Sequence, residues 1–200
     1  MAGDRLATRN KPDASWPDER LVSACLEGHE EAWGALVDKY SQMVFTVVRR
    51  YGVPHDDATD LFQAIWLDSY NDLEKLRKPE AFRSWLITLA RNKCFHWQRK
   101  LRVKNAHEVA SPEDSPFEPE DPDDQPELIE QIAREQLVRD AILELTPRCR
   151  ELIRHLFFTF PPKPYKEIAQ SLGLAVGSIG FTRGRCLERL HRQLTRHGFS

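Results

Sequence analysis

Tyr165-Lys-Glu-Ile-Ala-Gln-Ser-Leu-Gly-Leu-Ala-Val-Gly-Ser-Ile-Gly-Phe-Thr-Arg-Gly-Arg185 has the spacing of two short helices joined by a tight turn. Ala169 is small enough to let a second helix cross closely over the first. Gly173 falls where the chain must turn, and glycine tolerates the positive φ such a turn needs. Ile179 is expected to point back at Ile168 and Leu172 and lock the pair. The second helix carries Arg183, Arg185, Arg189 and Arg192. A cationic helix of this kind fits the DNA major groove and offers its N-terminal side chains to base edges. The alternative at this point is an ordinary helical hairpin.

Working outward, the rest of the chain also reads as helical. Residues 1–17 are polar and proline-containing, and are expected to be a disordered tail. Leu21, Val22, Cys25 and Leu26 form a short apolar stripe ending at Gly28. Trp33, Leu36, Val37, Tyr40, Met43, Val44, Val47, Val48 and Tyr51 form a longer one at spacings of three and four, closed by Gly52. A third helix is expected from Pro54 to Tyr70, with Ala58, Leu61, Phe62, Ile65 and Trp66 inward. A loop to Pro79 leads into a fourth, which packs through Phe82, Trp85, Leu86, Leu89 and Ala90. Beyond the linker, Leu128, Ile129, Ile132, Leu137, Ala141 and Ile142 mark the next helix. Thr146-Pro147 is a helix start signal, followed by an inward face of Leu152, Ile153, Leu156 and Phe157. The expected fold is all-α: two small helical domains, 18–104 and 127–197, joined by a flexible linker over 105–126.

That linker explains the charge. The 200 residues carry 29 basic and 31 acidic side chains, a net charge of −2. Nine of the acids fall between Glu108 and Glu127, uninterrupted by Lys or Arg. Outside them the balance is +7, so the near-neutral total does not oppose nucleic-acid binding. Pro112, Pro116, Pro119, Pro122 and Pro126 argue against a helix in the same stretch.

Composition excludes several classes. No run of 18 apolar residues exists, and the N-terminus lacks a signal-peptide core, so a cytoplasmic protein without membrane insertion is expected. Cys25, Cys94, Cys149 and Cys186 stand far apart with no Cys-x-x-Cys pair, which points to reduced, mostly buried thiols and no zinc site. His55-Asp56-Asp57-Ala-Thr-Asp60 resembles the acidic cluster of a metal nuclease, but acids also favour a helix N-terminus. No partner cluster accompanies it, and no hydrolase constellation is present. No metal, cofactor or catalytic residue is expected. The end of the fourth helix is different: Arg91, Lys93, Arg99, Lys100, Arg102 and Lys104 alternate with Phe95, His96 and Trp97 and no acid intervenes. Cations neutralise phosphates and aromatic faces stack on unpaired bases, a combination suited to opened DNA. A solvated cationic helix end is the plainer alternative.

Two sets of residues carry a family resemblance. Asp56-Asp-Ala-Thr-Asp-Leu-Phe-Gln63 with Phe82-Arg-Ser-Trp-Leu-Ile-Thr-Leu-Ala-Arg-Asn92 resembles the second conserved region of bacterial sigma factors. Leu145-Thr-Pro-Arg-Cys-Arg-Glu-Leu152 with Tyr165 to Gly173 and the last helix resembles the fourth. The absence of a third region and the short length resemble the extracytoplasmic-function group. The resemblance implies that Asp57, Asp60, Gln63 and Trp66 dock on the β′ clamp helices of RNA polymerase. It implies that the loop from Leu76 to Glu80, with Arg77 and Lys78, captures a flipped base of the −10 element. Asn92, Lys93, Trp97, Arg99, Lys100 and Arg102 would serve −10 recognition and strand opening. Ser178, Thr182, Arg183 and Arg185 would face the −35 element while their domain sits on the β flap. An anti-sigma factor is a further implied partner. The recognition helix departs from the family pattern at Ala175, Gly180 and Arg183. The implied function is an alternative sigma factor directing promoter-specific initiation. Its rivals are a helix-turn-helix regulator that binds duplex operators without joining polymerase, and a nuclease built on Asp56, Asp57 and Asp60.

Overall fold

The computed structural model describes residues 11–109 and 126–199. Every regular element among them is helical: α1 (Asp18–Leu26), α2 (Glu30–Arg50), α3 (His55–Asn71), α4 (Phe82–Val109), α5 (Pro126–Leu143), α6 (Pro147–Phe157), α7 (Tyr165–Ser171) and α8 (Ile179–Arg196), with short 3-10 turns at Leu73–Lys75, Pro79–Ala81 and Val176–Ser178. The chain divides into two compact units, 1–133 and 134–200.

The first unit is built around α2. Leu36, Tyr40, Met43, Val44, Val47 and Val48 are all fully buried, because their three-and-four spacing gathers them on one helical stripe. Leu21 and Val22 of α1, Ile65 of α3, and Phe82 and Leu86 of α4 close over that stripe. Gly52, at φ +70, ends α2 in the left-handed conformation that glycine alone adopts without penalty. The Gln98 side chain donates 2.7 Å to the carbonyl of Tyr51 and fixes α4 against this turn. A polar anchor holds α1: Asp18 accepts from Lys39 Nζ at 2.7 Å and from the Tyr40 hydroxyl at 2.5 Å.

Several expectations are corrected in this unit. Residues 11–17 are not a loose tail: Trp16 packs on the core under the Arg20 guanidinium, 3.3 Å from the ring centroid. Residues 1–10 lie outside the described residues. The fourth helix runs on to Val109, five residues into the expected linker, because the first proline does not arrive until Pro112. The remainder of the acidic linker, 110–125, lies outside the described residues. The division between units falls at 133/134 rather than at 127. The apolar face of α5 explains this, since Leu128, Ile129 and Ile132 belong to the first core and Ile142 to the second.

The second unit has a small core of Leu145, Cys149, Leu152, Ile153, Ile168, Ala169, Leu172, Ile179 and Cys186. Gly173 turns at φ +62, and Ile179 joins Ile168 and Leu172 as expected. Proline at the first position of α6 suits its φ, although the Thr146 hydroxyl makes no capping bond. Phe157 is 58% exposed and not part of the inward face, because α6 ends there and no element covers its ring. The expectation of four reduced thiols is overturned: Cys149 and Cys186 form a disulfide, while Cys25 and Cys94 are free. Their separation of 37 residues hid the pairing, which only the crossing of α6 and α8 creates. A closed loop of that length confers about 4 kcal/mol in the chain-entropy account, a large contribution for so small a core.

The α1 anchor is testable. Asp18 and Lys39 are largely withdrawn from solvent, so Asp18→Ala leaves a buried ammonium without its carboxylate. The expected loss is about 3 kcal/mol, read from urea unfolding of the full chain, whereas Lys75→Ala at the exposed Asp72 pair should leave the unfolding midpoint unchanged.

Candidate nucleic-acid interface

Helices α3 and α4 run antiparallel, so the start of α3 lies beside the far part of α4 and the end of α3 beside its near part. Two concavities result. The first is lined by Asp68, Asp72, Trp85, Thr88, Leu89, Asn92, Lys93 and His96. Asn92 is exposed, and Lys93 is held by Asp68 Oδ2 at 2.5 Å. Trp85 serves both as core packing and as a wall of this hollow. The second is lined by Asp57, Asp60, Leu61, Ala64, Trp97, Lys100 and Leu101. Here acids from α3 face a lysine and an indole from α4 across an apolar floor. Sequence reasoning assigned these residues to two separate surfaces, and the structure brings them into one groove.

The remaining sequence-derived candidates of this unit divide by exposure. Asp60, Gln63, Arg77, Lys78, Arg99, Lys100 and Arg102 are exposed, with Arg77 and Lys78 on the segment between the two 3-10 turns. Trp66 is corrected: it is only 7% exposed and cannot present its ring to a docking partner. The i, i+4 spacing that puts it in line with Phe62 also turns it inward, where Trp33 meets it edge-on at 5.7 Å. Asp68, Asp72, Thr88 and Leu101 were missed. Their signal is purely spatial, since each becomes part of a hollow only when α3 and α4 pair.

In the second unit Arg183, Arg185 and Arg192 of α8 remain on the surface, while Arg189 is half-buried. Arg183 Nη1 donates to the Tyr165 hydroxyl at 3.2 Å, and the Arg185 guanidinium lies 5.7 Å from the centre of the Phe181 ring. A guanidinium positioned this way keeps donors for a guanine edge or a phosphate. The hydroxyls of Ser178 and Thr182 donate to the carbonyls of Ala175 and Ser178, at 2.7 and 2.9 Å. Their protons are therefore engaged by the helix start, and their remaining capacity is as acceptors. Phe181, 71% exposed, was also missed, although its i, i+4 relation to Arg185 is legible in the sequence.

Among the described residues, no group of three or more His, Cys, Asp or Glu side chains is placed to hold a metal ion. No described helix is long and apolar enough to cross a membrane. The interface is thus two hollows and a basic helix end in one unit, and an arginine-bearing helix in the other.

Burial of Trp66 separates folding from docking. Trp66→Ala should cost about 3–5 kcal/mol in unfolding experiments, whereas Asp60→Ala, fully on the surface, should cost less than about 0.5 kcal/mol.

The sigma-70 region 2 family model matches residues 36–103. RNA polymerase sigma factor NccH of Alcaligenes xylosoxydans xylosoxydans is 27% identical over 88 residues, covering 44% of this chain and 47% of that protein. The ECF RNA polymerase sigma-E factor of Escherichia coli strain K12 is 35% identical over 75 residues, covering 38% of this chain and 39% of that protein. The chain thus spans less than half the length of these curated relatives. Among solved structures, that of CnrH in complex with the cytosolic domain of CnrY aligns over 90% of this chain and 99% of that chain, at 21% identity and a TM-score of 0.37. Over residues 36–103 the chain thus carries a segment similar to sigma-70 region 2.

Proposed function

We propose that this chain is an alternative sigma factor, which binds core RNA polymerase in the cytoplasm, directs it to selected promoters and helps to open them. The observation that carries the reading is the sigma-70 region 2 match over residues 36–103, coincident with the unit that holds the α3–α4 groove and the basic end of α4. No chemistry is required of the chain. Capture of unpaired bases shifts the duplex towards its open form by differential binding.

Roles follow from exposure and charge. Asp60 and Gln63, exposed on α3 beside a buried stripe, suit docking on the β′ clamp helices. Because Asp57 and Asp60 share their groove with Trp97 and Lys100, polymerase binding and −10 contact are adjacent on one surface. Arg77 and Lys78 project from the loop assigned to the flipped base. Asn92 lies at the mouth of the first hollow, with Trp85 as its apolar wall. In the second unit Arg183 and Arg185 are the candidates for the −35 element, and the β flap is the proposed seat of that unit. An anti-sigma protein is the further partner that the family resemblance implies.

Reconstitution with core polymerase tests the whole reading. Run-off transcription should start at a defined promoter only when the chain is added. A chain that binds an operator duplex alone and adds nothing to core polymerase is instead the regulator.

Asp60→Ala with Gln63→Ala should weaken core binding by about tenfold in a fluorescence titration, with helicity unchanged, since interface anchors of this kind are worth over about 1 kcal/mol. Unchanged affinity rules out this face.

The DNA-facing residues should differ in kind. Arg99→Ala with Lys100→Ala should flatten the slope of log affinity against log salt by roughly 1.5 units with little change in promoter choice. Arg185→Ala should cost about 1–3 kcal/mol and relax preference at one base pair. Equal losses across a set of single-base promoter variants assign Arg185 to the backbone.

A further inference from the structure

We propose that Cys149 and Cys186 are a reversible thiol–disulfide modification site, addressed by peroxides and low-molecular-weight dithiols, whose state sets how firmly α8 is held. Cys149 lies on α6 and Cys186 on α8, with Cα atoms 5.3 Å apart, inside the range a disulfide spans. Both are buried in the small second core. On α8, an 18-residue helix, Ile179 and Cys186 are the two buried residues. The bridge is therefore one of two deep anchors for the helix that carries Arg183 and Arg185. With the bridge reduced, the apolar anchors of that helix are Ile179, the half-buried Leu190 and the uncross-linked Cys186 side chain.

Arg189 makes the two sulfurs unequal. Its Nη1 lies 3.9 Å from Cys149 Sγ, one helical turn beyond Cys186. A guanidinium at that place favours a thiolate on Cys149, so Cys149 is the better leaving group and Cys186 Sγ the atom attacked. In reduction, a dithiol's thiolate bonds to Cys186 Sγ, the Cys149–Cys186 bond breaks, and its electron pair leaves on Cys149. The second thiol of the reagent then displaces Cys186 and closes the reagent's own disulfide. Two electrons and two protons have passed to the pair. In the reverse direction the Cys149 thiolate attacks hydrogen peroxide and the O–O bond breaks. Hydroxide leaves and is protonated to water, and Cys149 is a sulfenic acid. The Cys186 thiol then attacks that sulfur, the S–O bond breaks and a second water leaves. Reagents reach the buried sulfurs through local opening of this unit, which favours small molecules.

The other two cysteines do not compete. Burial pushes the Cys25 thiol up to about 11 and the Cys94 thiol up to about 12, so neither is a thiolate near neutral pH. Both belong to the first unit.

The chemistry stands apart from the sigma-factor reading; its consequence for promoter binding rests on that reading. The full chain is reduced with dithiothreitol, freed of reagent, exposed to hydrogen peroxide, and then denatured and alkylated. The expected result is a species lighter by two hydrogens, a Cys149–Cys186 cross-linked peptide, and alkylated Cys25 and Cys94. Amide exchange across α8 should quicken by about tenfold on reduction while α2 is unchanged. Arg189→Gln should slow bridge formation by about tenfold and Arg189→Lys should largely restore it. A pair that stays as thiols under peroxide, or α8 exchange that ignores the redox state, overturns the proposal. Equal oxidation rates in Arg189→Gln and the parent overturn the role of Arg189. Loss of promoter binding on reduction, with core-polymerase binding retained, supports the link to α8. A chain that makes and breaks the bridge yet supports no transcription in either state overturns the sigma-factor reading and leaves the bridge standing.

Discussion

The buried stripe of α2 is the constraint on which the first unit depends. Each of Leu36, Met43, Val44, Val47 and Val48 is withdrawn completely from water, and burial of such a side chain contributes about 1.5–3 kcal/mol. Exposed ion pairs on the same surface contribute about 0–1 kcal/mol each. The order of these magnitudes settles what positions the interface. α3 and α4 lie where they do because their own stripes must cover α2, and their polar faces are carried to the surface as a consequence. The groove between Asp60 and Lys100 is thus set by packing behind it.

The second unit solves the same problem with far less apolar material. Its core is small, and α8 contributes just Ile179 and Cys186 to the buried set. A helix free to face a ligand along most of its surface has little area left to anchor it. The bridge from Cys149 to Cys186 meets that shortage by cross-linking the chain, whose effect does not depend on buried area. The exposed aromatic rings of this unit, Phe160 at 93% and Phe181 among them, have the same origin: there is too little core to enclose them.

Charge is distributed to match. The basic end of α4 has no acid from Arg91 to Asn105, yet the antiparallel partner α3 supplies Asp68 to Lys93 and Asp57 and Asp60 near Lys100. An acid held opposite a lysine fixes the cation's place and restrains its attraction for any polyanion. Selectivity for a particular site gains from such restraint, because non-specific phosphate binding falls while directed contacts remain.

By itself the sequence determined the helical class, the order of the helices and the turn at Gly173. Each depends on local rules: the three-and-four spacing of apolar residues, the backbone freedom of glycine, and proline at helix starts. It also located Asp60, Gln63, Arg99 and Arg185 on exposed faces, because amphipathic periodicity distinguishes outside from inside. Tertiary structure alone decided the rest. Trp66 is read as inward by the apolar spacing of α3 and as docking surface by the family resemblance, and the packing of Trp33 from α2 against it decides for the core. Asp57 and Trp97 are 40 residues apart and meet because α3 and α4 run antiparallel. Cys149 and Cys186 bear no spacing signal and pair because α6 and α8 cross at that point. Local periodicity says which way a side chain faces from its own helix, and only the packing of helices says what it faces.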